Sequence, residues 1–407
     1  MHILLVADGR SPITRRWIRG LVAMNHRVSL VSTFPCEIPQ DVEEMFIFPV
    51  AFSALSGSQA GRSTAAVAPT PPERRPRRIV AKFRNIFQKM RYVLGPLTLL
   101  VHGPRFRRLV HQVQPDLIHA LRIPFEGMLA AHAPASVPLA VSIWGNDLTL
   151  HGRGSAAMRR LTERTLTRAD GLVADARRDI RLAHQWGFAK EKTVLEVPGS
   201  GGLDLVETGT ARPMPILAGL PPFPEDTPLV INPRGFRPGS VRNDIFFQAI
   251  PMVLERVPSA RFLCAAMQGQ EEAENWLAKL KISQQVHLLP YLSQEQLWAL
   301  FQHAAVSVSV SAHDGTPNSL LEAMAIGCFP IAGDIESLRE WIVPGVNGLL
   351  VESDKAQALA EALVLALENP QLRQAAAGIN QRIIRERAEI NLVRSQVAVF
   401  YERLMQK

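Results

Sequence analysis

Residues 307–332 read SVSVSAHDGTPNSLLEAMAIGCFPIA, and the way this stretch divides decides the fold. The run VSVSVS (306–311) has valine at alternate positions and reads as a strand. A helical pattern opens near Pro317, and FPIAG (329–333) reads as a second strand. Strand, helix and strand in that order form a crossover unit, which sets the two strands parallel in one sheet. The loop between the first strand and the helix carries more than packing requires. Thr316 suits an N-cap and Pro317 the first helical position, so the helix start is well specified. The amides of Asn318, Ser319 and Leu320 then lie at the positive end of a helix dipole, a natural anion site. Gly315 lets a ligand approach the backbone closely. Glu322 stands eight residues beyond Asp314, and helical side chains tilt toward the N-terminus, so its carboxylate reaches back to the same place. A carboxylate repels phosphate but accepts both protons of a diol. A nucleotide sugar supplies a diphosphate, a ribose diol and a second polyol together. On spacing alone a plainer reading stays open, in which Asp314 starts a turn and Glu322 is a solvated helix residue.

The same alternation extends outward. Before this stretch come the strand-like LVINPRG, ARFLCAA and VHLLPY, separated by the helical NDIFFQAIPMVLERV and EEAENWLAKL and followed by SQEQLWALFQHA. The first half opens with HILLVAD, TRRWIRGLVAM and HRVSLVST, a strand, a helix and a strand. DLIHAL, PLAVSIWG, GLVAD and KTVLEVPG continue it, with helical AAMRRLTERTLTRA and RRDIRLAHQWG between them. Residues 199–228, rich in glycine and proline, mark the boundary. The pattern predicts an α/β protein of two doubly wound lobes, with ligands at the carboxyl ends of the strands in a cleft between them.

With 407 residues, 47% of them hydrophobic, the chain can fill two or three cores. No apolar run approaches 18 residues, and MHILLVADGRSP reads as a first strand, not a signal peptide. Cys36, Cys264 and Cys328 lie far apart and suggest neither disulfides nor a metal cluster; a reducing cytoplasm fits them. The net charge of +8 is concentrated, with twelve Arg or Lys against the single acid Glu73 between Arg62 and Leu109. Residues 57–78 are low in complexity. After them Ile79, Phe83, Ile86, Met90 and Leu94 share one helical face, with Lys82, Arg84, Lys89 and Arg91 off it. This basic helix, 79–94, points to an anionic membrane surface or a lipid-linked acceptor. Packing of its apolar face on the first lobe's own core is the competing reading. Nucleic acid is a poorer partner, because few aromatics interleave the charges and no recognised module accompanies them. No zinc-type Cys/His spacing, phosphate-binding G-x-x-x-x-G-K-[ST] or dinucleotide G-x-G-x-x-G occurs.

Asp314, the seven residues before Glu322 and the following AMAIGCFPIA resemble the Glu-x7-Glu signature of retaining glycosyltransferases of family 4, also known as glycosyl transferases group 1, which have the GT-B fold. The resemblance implies that Glu322 holds the donor ribose, that Asp314, Gly315 and Thr316 hold the transferred sugar, and that no metal or other cofactor is needed. Aspartate in place of the first glutamate shortens the reach by one methylene. NPRGFRPGSVRND (232–244) resembles the segment whose Arg and Lys grip the donor diphosphate. Arg234 takes the first role; no lysine follows, so Arg242, ahead of Arg237, takes the second. Gly202-Leu203-Asp204 resembles the family's interdomain turn, and Leu289–Ser293 falls where the base is held. In the first lobe Gly9 stands alone where the family has a glycine-rich loop facing donor and acceptor. His119 and Asp147 match acceptor-side positions, and Trp144 replaces the family's usual histidine, where it stacks on a sugar or fills the core. The domains implied are residues 1–198 on the acceptor side, with a basic insertion at about 57–110, a hinge at 199–228, a donor domain at 229–380, and a C-terminal helix at 381–407 packing back on the first domain.

The activity implied is transfer of a sugar from a UDP- or GDP-sugar to a sugar or lipid-linked hydroxyl, with retention by same-face displacement. It would serve cell-surface glycan or glycolipid synthesis at the inner face of the membrane. Two alternatives stay open: another GT-B enzyme, such as a phosphorylase or epimerase, and a two-lobed nucleotide-sugar binding protein without turnover.

Overall fold

Short runs buried on both faces, such as Ile3–Val6 and Val230–Ile231, cannot be edge or half-exposed strands, and they form the centres of two parallel sheets. The computed structural model describes residues 1–55, 84–210, 223–224 and 226–406. The chain divides into two compact units, Met1–Gly201 with Arg394–Lys407, and Gly202–Val393.

Unit 1 contains strands β1 (His2–Ala7), β2 (Arg27–Ser32), β3 (Met45–Ile47), β4 (Leu117–Ala120), β5 (Leu139–Ile143), β6 (Gly171–Ala174) and β7 (Thr193–Glu196). They lie parallel in the order β3-β2-β1-β4-β5-β6-β7. Ser11 and Ser155 cap the helices Pro12–Ala23 and Ala156–Arg168 through their side chains. Unit 2 contains β8 (Leu229–Asn232), β9 (Arg261–Cys264), β10 (Val286–Leu288), β11 (Val306–Ser309), β12 (Phe329–Gly333) and β13 (Leu349–Val351). Their order is β10-β9-β8-β11-β12-β13, again all parallel. In each sheet the winding reverses once, between β1 and β4 and between β8 and β11. Connections leave these neighbours in opposite directions, which opens a gap at their carboxyl ends.

The chain divides differently from the expectation in two places. Passage from unit 1 to unit 2 falls between Gly201 and Gly202, not over a thirty-residue hinge. Asp204 caps the helix Leu205–Gly209, which packs in unit 2; residues 211–222 and 225 lie outside the described residues. The expected C-terminal helix is two. Pro370–Arg387 stays in unit 2, where Ile384 and Ala388 pack with Leu320 and Trp341. Only Arg394–Lys407 belongs to unit 1, anchored by Tyr401, whose hydroxyl meets His119 Nδ1 at 2.7 Å.

The expected basic helix also changes. Ile79, Lys82 and Phe83 lie outside the described residues, and one helix runs Arg84–Val113, through Pro96 and Pro104. Each proline follows a glycine that admits a close neighbour: a Cβ on Gly95 would lie 2.9 Å from Phe125, and one on Gly103 2.6 Å from His132.

Gly333, at the end of β12, presses closely on the loop after β11. A Cβ there would sit 2.2 Å from the backbone oxygen of Ser311. Overpacking of this kind costs about 1–3 kcal/mol, and a unit this size loses about 2–4 °C per kcal/mol. Gly333→Ala is expected to lower the thermal unfolding midpoint by several degrees; a variant melting with the parent protein would show that the loop after β11 is not held by this contact.

Candidate functional site

In unit 2 the loops after β8 and β11 meet at the winding reversal. Asn232 closes β8: its Oδ1 accepts from the Arg234 amide at 3.1 Å, and its Nδ2 donates to Asn243 Oδ1 at 2.9 Å. That fixes the loop so that the buried Arg234 guanidinium pairs with Asp314. Ser311 Oγ braces both, accepting from Arg234 Nη1 at 3.1 Å and donating to Asp314 Oδ2 at 3.1 Å. The Asp314 carbonyl accepts from Ser337 Oγ at 2.9 Å, while Oδ1 accepts from the Gly315 amide at 3.1 Å. Arg237 lies beside this pair. Arg237 is exposed to solvent, and the neighbouring Arg234 charge holds its pKa down at about 10. Two guanidiniums thus share one strand end, and only one of them pairs with Asp314.

The helix Asn318–Ile326 begins one residue later than expected. Pro317 occupies the cap position and brings no side-chain cap, whereas Thr316 is buried with its Oγ1 accepting from Trp341 Nε1 at 2.9 Å. Glu322 is buried on this helix, not solvated, and its Oε1 accepts from Gln294 Nε2 at 2.6 Å. Asn318 Oδ1 is buried without a partner.

In unit 1 the corresponding strand ends carry a second charged cluster. After β1, Arg10 grips Asp8 through Nε and Nη2, both at 3.0 Å, with its guanidinium 3.7 Å above the Phe34 ring. After β4, Arg122 Nη2 pairs with the fully buried Asp147 at 2.8 Å. Asp147 Oδ2 also accepts from the Ile123 and Trp144 amides at 3.0 and 3.2 Å, so this carboxylate ties the β4 and β5 loops together. Trp144 is half-buried with Arg122 5.2 Å from its ring, and so is not core. Between the loops lies Glu126, 3% exposed, accepting from Thr33 Oγ1 at 2.8 Å; burial pushes its carboxyl up. Phe125 is held at φ +70°, rare for a bulky residue, and such strain clusters where the surroundings over-determine a loop.

Comparison with known families settles the lineage. Residues 8–198 match the glycosyl transferase 4-like domain and residues 223–382 match glycosyl transferases group 1. The chain belongs to the group 1 glycosyltransferases. A GDP-mannose:cellobiosyl-diphosphopolyprenol alpha-mannosyltransferase of Xanthomonas oryzae is 32% identical over 122 residues, 28% of this chain and 32% of the relative. The chain thus matches about a third of that curated relative's length. Anabaena HepE in complex with UDP-glucose superposes with a TM-score of 0.68 at 18% identity, covering 99% of each chain. Sucrose-phosphate synthase of Thermosynechococcus elongatus gives 0.72 at 16% identity, covering 100% and 99%. At these identities the structural likeness establishes the GT-B fold.

Within this glycosyltransferase fold, several expected site residues change place. Asp314 and Arg234 come together, and Glu322, Gly315, Thr316, Pro317, Asn318 and Ser319 surround the same strand end. Arg242 does not join them: its guanidinium is bound to Asp244 at 2.8–2.9 Å, and Arg237 is the arginine beside Arg234. Gly9 is covered by Ser32 and Cys36, with its amide donating to Ser32 Oγ at 3.1 Å. His119, on β4 itself, is fully buried, its Nε2 2.8 Å from Ser142 Oγ, so no face is left for an acceptor. Asp147 organises loops from the interior. Gln294 was not anticipated, although its place directly after a helix-capping Ser293 was legible. Neither were Arg10, Arg122 and Glu126, of which Arg122 had the clearer signal as an arginine following a strand.

Burial lowers the His119 pKa to about 3, far under the ~6.5 of an unfolded chain. The unfolded state therefore takes up the proton first, and stability present above pH ~6.5 is lost toward pH 3 at about 1.4 kcal/mol per unit. His119→Gln is expected to flatten the fall in urea midpoint between pH 6 and pH 4; an unchanged slope would assign the acid sensitivity elsewhere.

Proposed function

We propose that this group 1 glycosyltransferase moves a sugar, with retention and without a metal, from a UDP- or GDP-sugar to a hydroxyl of a lipid-linked acceptor. The observation that carries the reading is the meeting of Arg234, Arg237 and Asp314 with the open start of helix Asn318–Ile326 at the carboxyl ends of β8 and β11. The two guanidiniums take the donor diphosphate, and their charge stabilises the leaving group as negative charge builds on it. Glu322, oriented by Gln294, accepts from the ribose hydroxyls, while Asp314 accepts from a hydroxyl of the transferred sugar. The exposed Tyr291, following β10, offers its ring to the base. The Xanthomonas relative is named for a GDP-mannose donor and a diphosphopolyprenol acceptor, and HepE was crystallised with UDP-glucose.

A membrane surface is supported by an exposed apolar face of helix Arg84–Val113 that includes Met90 and Leu94 of the expected one and extends toward its C-terminus. Met90, Val93, Leu94, Leu97, Leu100 and Val101 recur at helical spacing and are exposed, from 38% at Leu94 to 71% at Leu100. Exposed Arg105 and Arg108 continue the stripe, placing cations beside apolar side chains as an interfacial helix does. Arg91, expected off the apolar face, meets the Phe125 ring at 4.9 Å. Among the described residues no helix is long and apolar enough to cross a membrane.

Incubation with candidate nucleotide sugars and an acceptor is expected to release free nucleoside diphosphate, with the product's anomeric configuration, read by NMR, matching the donor's. Arg237→Ala should weaken nucleoside diphosphate binding at least tenfold and Arg242→Ala less than threefold by calorimetry; the reverse order would remove Arg237 from the site. Leu97→Ser combined with Leu100→Ser should reduce cosedimentation with anionic vesicles about fivefold, and undiminished binding would rule the stripe out.

A further inference from the structure

Helix Arg84–Val113 has an inner face that the donor chemistry leaves unexplained. There Arg91 reaches the winding reversal of the unit 1 sheet, where Arg10 and Arg122 already stand. Its guanidinium packs 4.9 Å from the Phe125 ring and 5.9 Å from the Phe34 ring. Among the described residues no carboxylate lies within ion-pair distance of Arg91, whereas Arg10 has Asp8 and Arg122 has Asp147. The Nε atoms of Arg91 and Arg122 are both buried without a partner, as is Glu126 Oε2. Leaving a charged donor unsatisfied in this way is costly unless a ligand completes it.

Burial lowers the Arg91 pKa, with Glu126 opposing the fall and Arg122 adding to it. For Arg122, burial is outweighed by Asp147 and Glu126, which raise its pKa. His151, its Nδ1 2.6 Å from Tyr92 Oη, is held neutral at about 3 by burial and then by Arg122 and Arg91. The nearest acid to compensate is Glu126, whose own charge burial disfavours. Aromatic rings flank the arginines without neutralising them: Phe34 under Arg10, Phe125 under Arg91, and Trp144 under Arg122. Guanidinium forks presented beside ring faces suit the tetrahedral oxygens of a phosphate.

We infer that Arg91 and Arg122, with Arg10 beside them, form a phosphate or diphosphate subsite in unit 1 that receives the anionic group of the acceptor. This rests on the transferase reading and adds the acceptor's chemical class to it. The phosphate can belong to a lipid diphosphate, whose chain would follow the apolar stripe on the same helix, or to a soluble sugar phosphate.

The test is a titration of the full chain with inorganic pyrophosphate after saturation with UDP or GDP, followed by calorimetry and by tryptophan fluorescence through Trp144. A second binding event is expected. Arg91→Met, which keeps the packing on Phe34 and Phe125, should weaken it at least tenfold, and Arg91→Lys should restore it to within threefold. Should Arg91→Met not fold, Arg10→Gln, whose side chain meets Asp8 and Phe34, should weaken the event by about threefold or more. Vesicles carrying a polyprenyl diphosphate, or glucose 1-phosphate in solution, should displace the pyrophosphate, and the one that does identifies the source. Absence of the second event in the parent protein, indifference to Arg91→Met, or displacement by neither compound overturns the inference. Failure of the initial nucleotide saturation would instead strike the donor reading, so the two failures are told apart.

Discussion

Both units depend on one constraint of parallel sheets. Every strand must be reached by a right-handed crossover, so winding outward from the centre in both directions leaves one pair of neighbours whose exits diverge. Backbone groups and side chains at that pair face a gap with no element above it. In unit 2 the gap lies between β8 and β11 and collects Arg234, Arg237 and Asp314. In unit 1 it lies between β1 and β4 and collects Arg10, Arg91 and Arg122. The same geometry thus assembles cations twice, from residues far apart in the chain, and the chemistry of each cluster follows from the acids set beside it.

Those acids differ in what they leave over. Asp314 is braced by Ser311 and bound to Arg234, so unit 2 keeps a polar, hydrogen-bonding floor with Arg237 at its rim. Asp147 is buried completely and satisfied by two backbone amides as well as Arg122, which makes it a fastener between loops. Asp147, fully buried, has no oxygen open to a ligand, whereas the Asp314 side chain keeps 13% of its surface exposed. This separates Asp147 from Asp314, although both follow strands and both precede helical turns.

The elements and their order were largely legible, because strands buried on both faces advertise themselves as unbroken apolar runs and the helices between them carry their own caps. The boundary of the donor helix was off by one residue for a physical reason. Thr316 has the side chain of a cap, but Trp341, distant in sequence, claims its hydroxyl, and Pro317 takes the position. Asp244, two residues beyond Arg242, binds that arginine locally, and no spacing rule distinguishes this from a free guanidinium. His119 looked available because a histidine near a strand end often is; the partner that closes it off, Tyr401, arrives 282 residues later. The helix Arg84–Val113 was hidden by its prolines, since only contacts with Phe125 and His132 reveal why glycines precede them.

That late tyrosine has a consequence for how the molecule comes into being. Unit 1 begins at residue 1, yet its buried histidine is sealed by the Tyr401 hydroxyl, and Phe400 and Leu404 press on Gly171 of β6. On the ribosome the first sheet can gather its strands early, but it keeps an open seam while the whole of Gly202–Val393 is being made. The unit encoded first is therefore finished last, and loss of the final helical turns would be felt at β4 and β6, near the start of the chain, with unit 2 left whole.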